Sequence, residues 1–173
     1  MVVVTLAGIL ITSRLRPAVT LLTTGTAPPA IDLAGPGPVH ADAVRAAAGH
    51  PVVVEFFEAS CSICRDTAPT LCADLHDHPG TTVIAVDAAL DDPSAVRAFR
   101  SDRLADCAAD PALSVYTDPC RPPGASPCGN VSDRWGVRVV PTVYVLDAGG
   151  RIRYAGTGAG AVTGAAAALR ALG

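Results

Sequence analysis

An α/β sandwich, a central mixed sheet with helices on both faces, is the fold this sequence predicts, and three observations carry it. Val52–Phe57 and Thr82–Val86 are short, nearly continuous apolar runs of the kind found in strands covered on both faces. Each is followed by residues at helical spacing. Thr142–Leu146 is joined to Ile152–Ala155 through Ala148-Gly149-Gly150, the signature of a β-hairpin. The predicted core order is β-α-β-α-β-β-α, a parallel half joined to an antiparallel hairpin, behind an N-terminal extension.

Residues 1–24 form an apolar segment in which Val2–Ile11 is followed by Arg14 and Arg16 and then by a weaker apolar stretch to Leu22. A full span needs about 20 apolar residues. Two arginines near its middle would each cost about 2.5–3.5 kcal/mol, so this is a poor single transmembrane helix. A signal peptide fits no better, because no positive residue precedes the apolar run and Gly25-Thr26-Ala27 is only a passable cleavage site. A membrane tether through residues 1–22 and an apolar arm folded onto the domain both stay open. Residues 25–38 have the proline and glycine content of a linker, and the domain is expected over 39–173.

Within the domain, Ala41–Ala48 reads as a short helix ended by Gly49. Val52–Phe57 is broken only by Glu55. The helix after Cys61 places Leu71 and Leu75 on one face, is kinked at Pro69, and stops at Pro79-Gly80. After the second strand, Asp92-Pro93 supplies an N-cap and a first-turn proline for a helix with Val96, Phe99, Leu104 and Cys107 roughly on one side. Residues 117–130 read as an irregular insertion containing four prolines, Cys120 and Cys128. A helical turn near Val131–Trp135, the hairpin, and an alanine-rich helix over Val162–Leu172 complete the chain.

Composition narrows the function classes. A formal net charge of -3 gives no general attraction for nucleic acid or anionic lipid, and no nucleic-acid partner is expected. One Trp, three Tyr and three Phe are too few for base-stacking platforms. Every basic residue is an arginine. Six cysteines are the informative feature.

Cys61-Ser62-Ile63-Cys64 is a C-x-x-C between a buried strand and a helix start. The first cysteine then sits at the helix N-terminus, where unpaired amides and the macrodipole favour a thiolate. The second lies one turn on, within disulfide reach. Cys61 would attack a substrate disulfide and Cys64 would resolve the mixed disulfide. A C-x-x-C is also half of a zinc site, but Cys120 and Cys128 lack the matching spacing. Cys72, His76 and His78 are the remaining candidate ligands, and the two histidines read better as solvated residues at a helix end. No metal or cofactor is expected.

The segment from Val52 through Cys61 and Cys64 to Pro69, together with Trp135-Gly-Val-Arg-Val-Val-Pro141-Thr-Val-Tyr, resembles the two signatures of thioredoxin-fold thiol-disulfide oxidoreductases. With Asp87 and the run Asp92–Arg97 between them, the pattern is most similar to membrane-anchored, extracytoplasmic TlpA-type reductases. The resemblance spans roughly Ile31–Gly173 and implies a thioredoxin fold. It implies that Pro141 follows a cis peptide beside the C-x-x-C, that the Val140 backbone pairs with an extended substrate, and that Ser62 and Ile63 contact that substrate. It implies, too, that Glu55 is a buried acid relaying the proton of Cys64. Catalytic roles are thus expected for Cys61, Cys64, Glu55 and Pro141. Ser60 departs from the tryptophan usual before the first cysteine, and Ser62-Ile63 from a glycine- or proline-containing pair, so potential and direction are not inherited.

In such a fold the helix carrying Cys107 is expected on the opposite face of the sheet from Cys72, beyond disulfide reach. Cys120 with Cys128, or Cys107 with Cys120, are then the candidate structural disulfides, and Cys72 is left free and buried. A structural disulfide would favour an extracytoplasmic compartment; its absence would favour the cytoplasm.

The function expected is a monomeric oxidoreductase exchanging its dithiol with protein thiol or disulfide substrates, as a reductant served by a redox donor protein. The alternative is a redox-inactive binding module with a structural C-x-x-C, in which Pro119–Gly129 recognises the partner. A peroxidase is disfavoured, because no Pro-x-x-x-Thr-x-x-Cys run ends at Cys61.

Overall fold

The computed structural model describes residues 20–33, 42–89, 91–118 and 129–173. Its elements are α1 (Ala43–Ala46), β1 (Val52–Phe57), α2 (Ser62–Asp77), β2 (Thr82–Asp87), α3 (Pro93–Arg103), β3 (Leu113–Thr117), α4 (Asn130–Arg134), β4 (Thr142–Leu146), β5 (Ile152–Thr157) and α5 (Gly160–Arg170). The strands form one mixed sheet in the order β3-β2-β1-β4-β5. β1 pairs parallel with β2, which pairs parallel with β3, while β1 with β4 and β4 with β5 are antiparallel.

The apolar runs become central strands because both of their faces are covered. Val53 and Phe57 of β1, with Val83 and Ala85 of β2 and Val143 and Val145 of β4, face a core closed by α2, α3 and α5. Val52, Val54 and Phe56 alternate to the other side. There Trp135 packs edge-on against Tyr144 and tilted against Phe56, at ring-centroid distances of 5.1 and 5.6 Å. Pro69 lies inside α2, which runs as one helix to Asp77. Asp92 caps α3 by accepting the Ser94 N–H at 2.7 Å.

Part of the proline-rich stretch read as linker packs on the domain. Ile31 is fully buried and Leu33 nearly so in the second core. Gly25 N–H donates to the Ile152 carbonyl and Ile152 N–H to the Thr26 carbonyl. Two apolar side chains and one rung of pairing hold a segment whose composition otherwise reads as tether. Among the described residues no helix is long and apolar enough to cross a membrane; the apolar run 2–11 lies outside them.

The sheet has a strand, β3, that the sequence analysis does not predict, and the helix before it lies on a different face from the one the resemblance implies. β3 is a short edge strand with a mixed burial pattern, paired only to β2. Without it α3 leads back toward the hairpin; with it α3 is the crossover between neighbouring parallel strands. Two successive right-handed crossovers in one direction across a sheet lie on one face, so α2 and α3 are side by side. Cys72 of α2 and Cys107, in the 3-10 turn Ala105–Cys107, form a disulfide with their Cα atoms 5.3 Å apart. This corrects two expectations: the pair is within reach, and Cys72 is not free. It also rules out Cys107 with Cys120. Cys120 and Cys128 lie outside the described residues.

The bridge closes a separation of 35 residues. Replacing both cysteines by alanine should cost about 4 kcal/mol in the chain-entropy account, a fall in Tm of roughly 10 °C. Calorimetry of the two proteins without reductant checks this; a fall below about 2 °C would show that the bridge constrains little.

Candidate active site

β1 ends at Phe57, and the chain turns through Glu58–Ser60, closed by the Cys61 N–H donating to the Glu58 carbonyl at 3.1 Å. The turn delivers Cys61 as the N-cap of α2. Its Sγ accepts the Cys64 N–H at 3.1 Å, so negative charge on this sulfur meets a backbone donor. Cys61 is partly exposed, whereas Cys64, one turn on, is buried; both are free thiols. Facing them is the loop before β4. The Val140 carbonyl accepts from Cys61 Sγ at 3.9 Å, and the Val140–Pro141 peptide is cis. Ser62 is exposed, and Ile63 and Val139, each 40% exposed, are the large apolar side chains left open to solvent among the described residues.

Glu55 lies on the β1 face it shares with Val53 and Phe57, beneath α2. It is fully buried, and neither carboxyl oxygen has a hydrogen-bond partner. Burial pushes its pKa up to about 8. The Cys64 thiol is pushed up as well, first by burial and then by its hydrogen bond with Cys61, against the pull of a Glu58 backbone hydrogen bond. The charges of Cys61 and Glu55 raise it further. Near neutral pH the Cys64 thiol therefore holds its proton, and Glu55 holds its own in most molecules. The outer sulfur is the accessible one.

Two acids border the same turn: Asp87, which the sequence marks only as part of the resemblance, and Asp91, which it does not mark. Asp87, at the end of β2, is buried and accepts the N–H groups of Ala89 at 3.2 Å and Asp91 at 3.1 Å. Burial lifts its pKa to about 6. Asp91 in turn accepts the Ala59 N–H at 2.5 Å, two residues before Cys61. In the sequence Asp91 is one more polar residue before the Asp92-Pro93 cap, and no local signal marks its contact with Ala59. Trp135 is buried core. Cys72, a candidate zinc ligand by sequence, is held in the disulfide. Among the described residues no three His, Cys, Asp or Glu side chains are grouped to hold a metal ion.

Two measurements follow from this arrangement. Iodoacetamide should label Cys61 well ahead of Cys64 in the native protein, read by mass spectrometry; equal labelling would contradict the difference in burial. Glu55 binds its proton more tightly in the folded chain, at about 8, than at its ordinary value of 4.5. The carboxyl therefore subtracts stability as pH rises from about 4.5 to about 8, and no more above that. Glu55→Gln should flatten that decline in denaturant melts between pH 5 and pH 8.5. Asp74 and Asp87, also raised by burial to about 6, act in the same direction in both proteins and cancel in the comparison.

No protein-family model and no curated protein matches the chain. Several solved structures do. A Chlorobium tepidum protein assigned as a thiol:disulfide interchange protein DsbE is 24% identical with a TM-score of 0.60, over 86% of this chain and 99% of that one. A secreted Mycobacterium tuberculosis disulfide oxidoreductase homologous to E. coli DsbE is 20% identical, TM-score 0.56, over 74% and 86%. The thioredoxin domain of a Bacteroides vulgatus thiol-disulfide oxidoreductase is 16% identical, TM-score 0.62, over 88% and 99%. At these identities the likeness speaks for architecture. Sheet order, helix placement and these neighbours together make this chain a thioredoxin-fold protein.

Proposed function

We propose that the chain is a thiol-disulfide oxidoreductase that reduces disulfides in protein substrates. One observation carries the reading: a partly exposed cysteine at a helix N-terminus, against the Val140–Pro141 loop, backed by a buried partner thiol and a buried, unpartnered carboxyl. Cys61 thiolate attacks one sulfur of the substrate disulfide, and the other leaves as a thiolate that takes a proton from solvent. Cys64 then gives its proton to the ionised form of Glu55 and attacks Cys61 Sγ. The second substrate thiolate leaves, and Cys61–Cys64 becomes the disulfide. Two electrons pass from the protein to the substrate, and a dithiol donor protein must return them.

The raised pKa of Glu55 suits the relay, because an acid near 8 exchanges protons with a thiol at a smaller energetic cost than one near 4. Ile63 and Val139 offer apolar contact on either side of Cys61, and the Val140 backbone is the partner for an extended substrate strand. Pro141 holds that loop against the cysteines, and Ser62 is open to the same substrate. The Cys72–Cys107 disulfide favours an extracytoplasmic, oxidising compartment, in keeping with the secreted Mycobacterium tuberculosis neighbour. A tether through residues 1–22 would place the domain at a membrane surface.

Cys61→Ser should abolish dithiol-dependent reduction of a protein disulfide, and unchanged turnover would sink the proposal. A Cys61/Cys64 reduction potential near about -250 mV or below supports the reductant role; about -120 to -180 mV would make the chain an oxidant or isomerase.

A further inference from the structure

The acids at the end of β2 are not used in the exchange chemistry, yet they are tied to the turn that carries it. Asp87, buried, accepts the Ala89 and Asp91 N–H groups and so ties both residues to the end of the sheet. Asp91, the last link, accepts the Ala59 N–H at 2.5 Å. Ala59 is itself 95% buried, with 5% exposure, so its amide has little access to water as a replacement partner. The turn it belongs to ends in Cys61, whose own N–H is committed to the Glu58 carbonyl.

We infer that Asp91 is a positioning residue for the Cys61–Cys64 pair: its carboxylate, braced by Asp87, anchors the Ala59 amide and thereby sets where Cys61 Sγ sits relative to Cys64. The inference rests on Cys61 being the attacking thiol but not on any protein substrate. An acceptor carrying charge holds an amide more strongly than a neutral one, and displacement of an attacking atom by a fraction of an ångström is felt directly in the rate of a reaction between two held groups.

Glutathione disulfide is the probe. Cys61 attacks it to give the Cys61–glutathione mixed disulfide and one glutathione thiolate; Cys64 then attacks Cys61 Sγ, forming the Cys61–Cys64 disulfide and releasing the second. The rate of this closure is read by quenching and mass spectrometry, with hydrogen exchange at the Ala59 amide read in parallel. Asp91→Ala should slow closure at least about tenfold and speed Ala59 exchange by a similar factor, with the Cys72–Cys107 bridge intact. Asp91→Asn, which keeps an acceptor oxygen, should recover most of the rate; Asp91→Glu, which moves the oxygen outward by a methylene, should fall between. Closure in Asp91→Ala within about twofold of the parent protein, unchanged Ala59 exchange, or Asp91→Asn as slow as Asp91→Ala would each overturn the inference. Failure of the parent protein to reduce protein disulfides while it still closes with glutathione would count against the proposed function and leave this inference standing.

Discussion

The handedness of two successive strand crossovers is the constraint on which the rest of the molecule depends. From β1 to β2 and from β2 to β3 the chain steps in one direction across the sheet between parallel neighbours. Right-handed connections then have only one face on which to lie. This brings α2 and α3 into contact, makes the Cys72–Cys107 bridge geometrically available, and sends the ends of three strands to one edge of the sheet. Hydrogen bonding continues along that edge after the strands finish, from Ala88 N–H to the Phe57 carbonyl and from Asp118 N–H to the Asp87 carbonyl. The C-x-x-C turn is thus built on the same edge as the loop that carries Asp91.

Acids buried around that edge divide by what they satisfy. Asp87 and Asp118 each accept backbone N–H groups, Asp118 from Ser132 at 2.6 Å, which seats the start of α4. At Gly129, with φ of 107°, a Cβ would collide with the Asp118 carboxyl, so the close approach needs glycine there. Asp87 offsets its burial with both oxygens, and Asp118 with one, its other oxygen lacking a partner. Glu55 does not: it sits in the central strand among valines and phenylalanines with neither oxygen partnered. A carboxyl left in this state costs stability in its charged form and serves no structural end visible in its contacts. Its position on the β1 face beneath α2, close enough for its charge to act on the buried Cys64 thiol, is the one the proposed proton relay uses.

Among the described residues the second face of the sheet is covered without a long helix. Ile31 and Leu33, the short α1 and α4, and the cluster of Phe56, Trp135 and Tyr144 cover it. The Tyr144 hydroxyl donates to the Trp135 carbonyl at 2.6 Å and receives the Leu22 N–H at 3.4 Å, tying the N-terminal segment, α4 and β4 together. Gly136 carries this packing to its limit, since a Cβ there would lie 2.7 Å from the Thr20 carbonyl oxygen. The face is one reason a proline-rich stretch that reads as linker is partly core.

Local pattern alone determined the strands β1, β2, β4 and β5, the helices between them, and the cysteine spacing at a helix start, because apolar runs, caps and turn residues act over a few neighbours. The nearly continuous apolar runs of β1 and β2 announce a sheet covered on both faces, and Glu55 stands out within β1 for the same reason. β3 escaped because an edge strand paired on one side needs no continuous apolar run, and its burial alternates irregularly. The expectation that α3 lies on the opposite face came from the resemblance, and the crossover into β3 places it beside α2 instead, with Cys107 in reach of Cys72. Only the tertiary structure decided the disulfide, the packing of residues 20–33, and the meeting of Asp91 with Ala59, which are 32 positions apart. Each joins groups distant in the chain, and their distance is set by crossover direction and strand register, quantities that no short stretch of sequence carries.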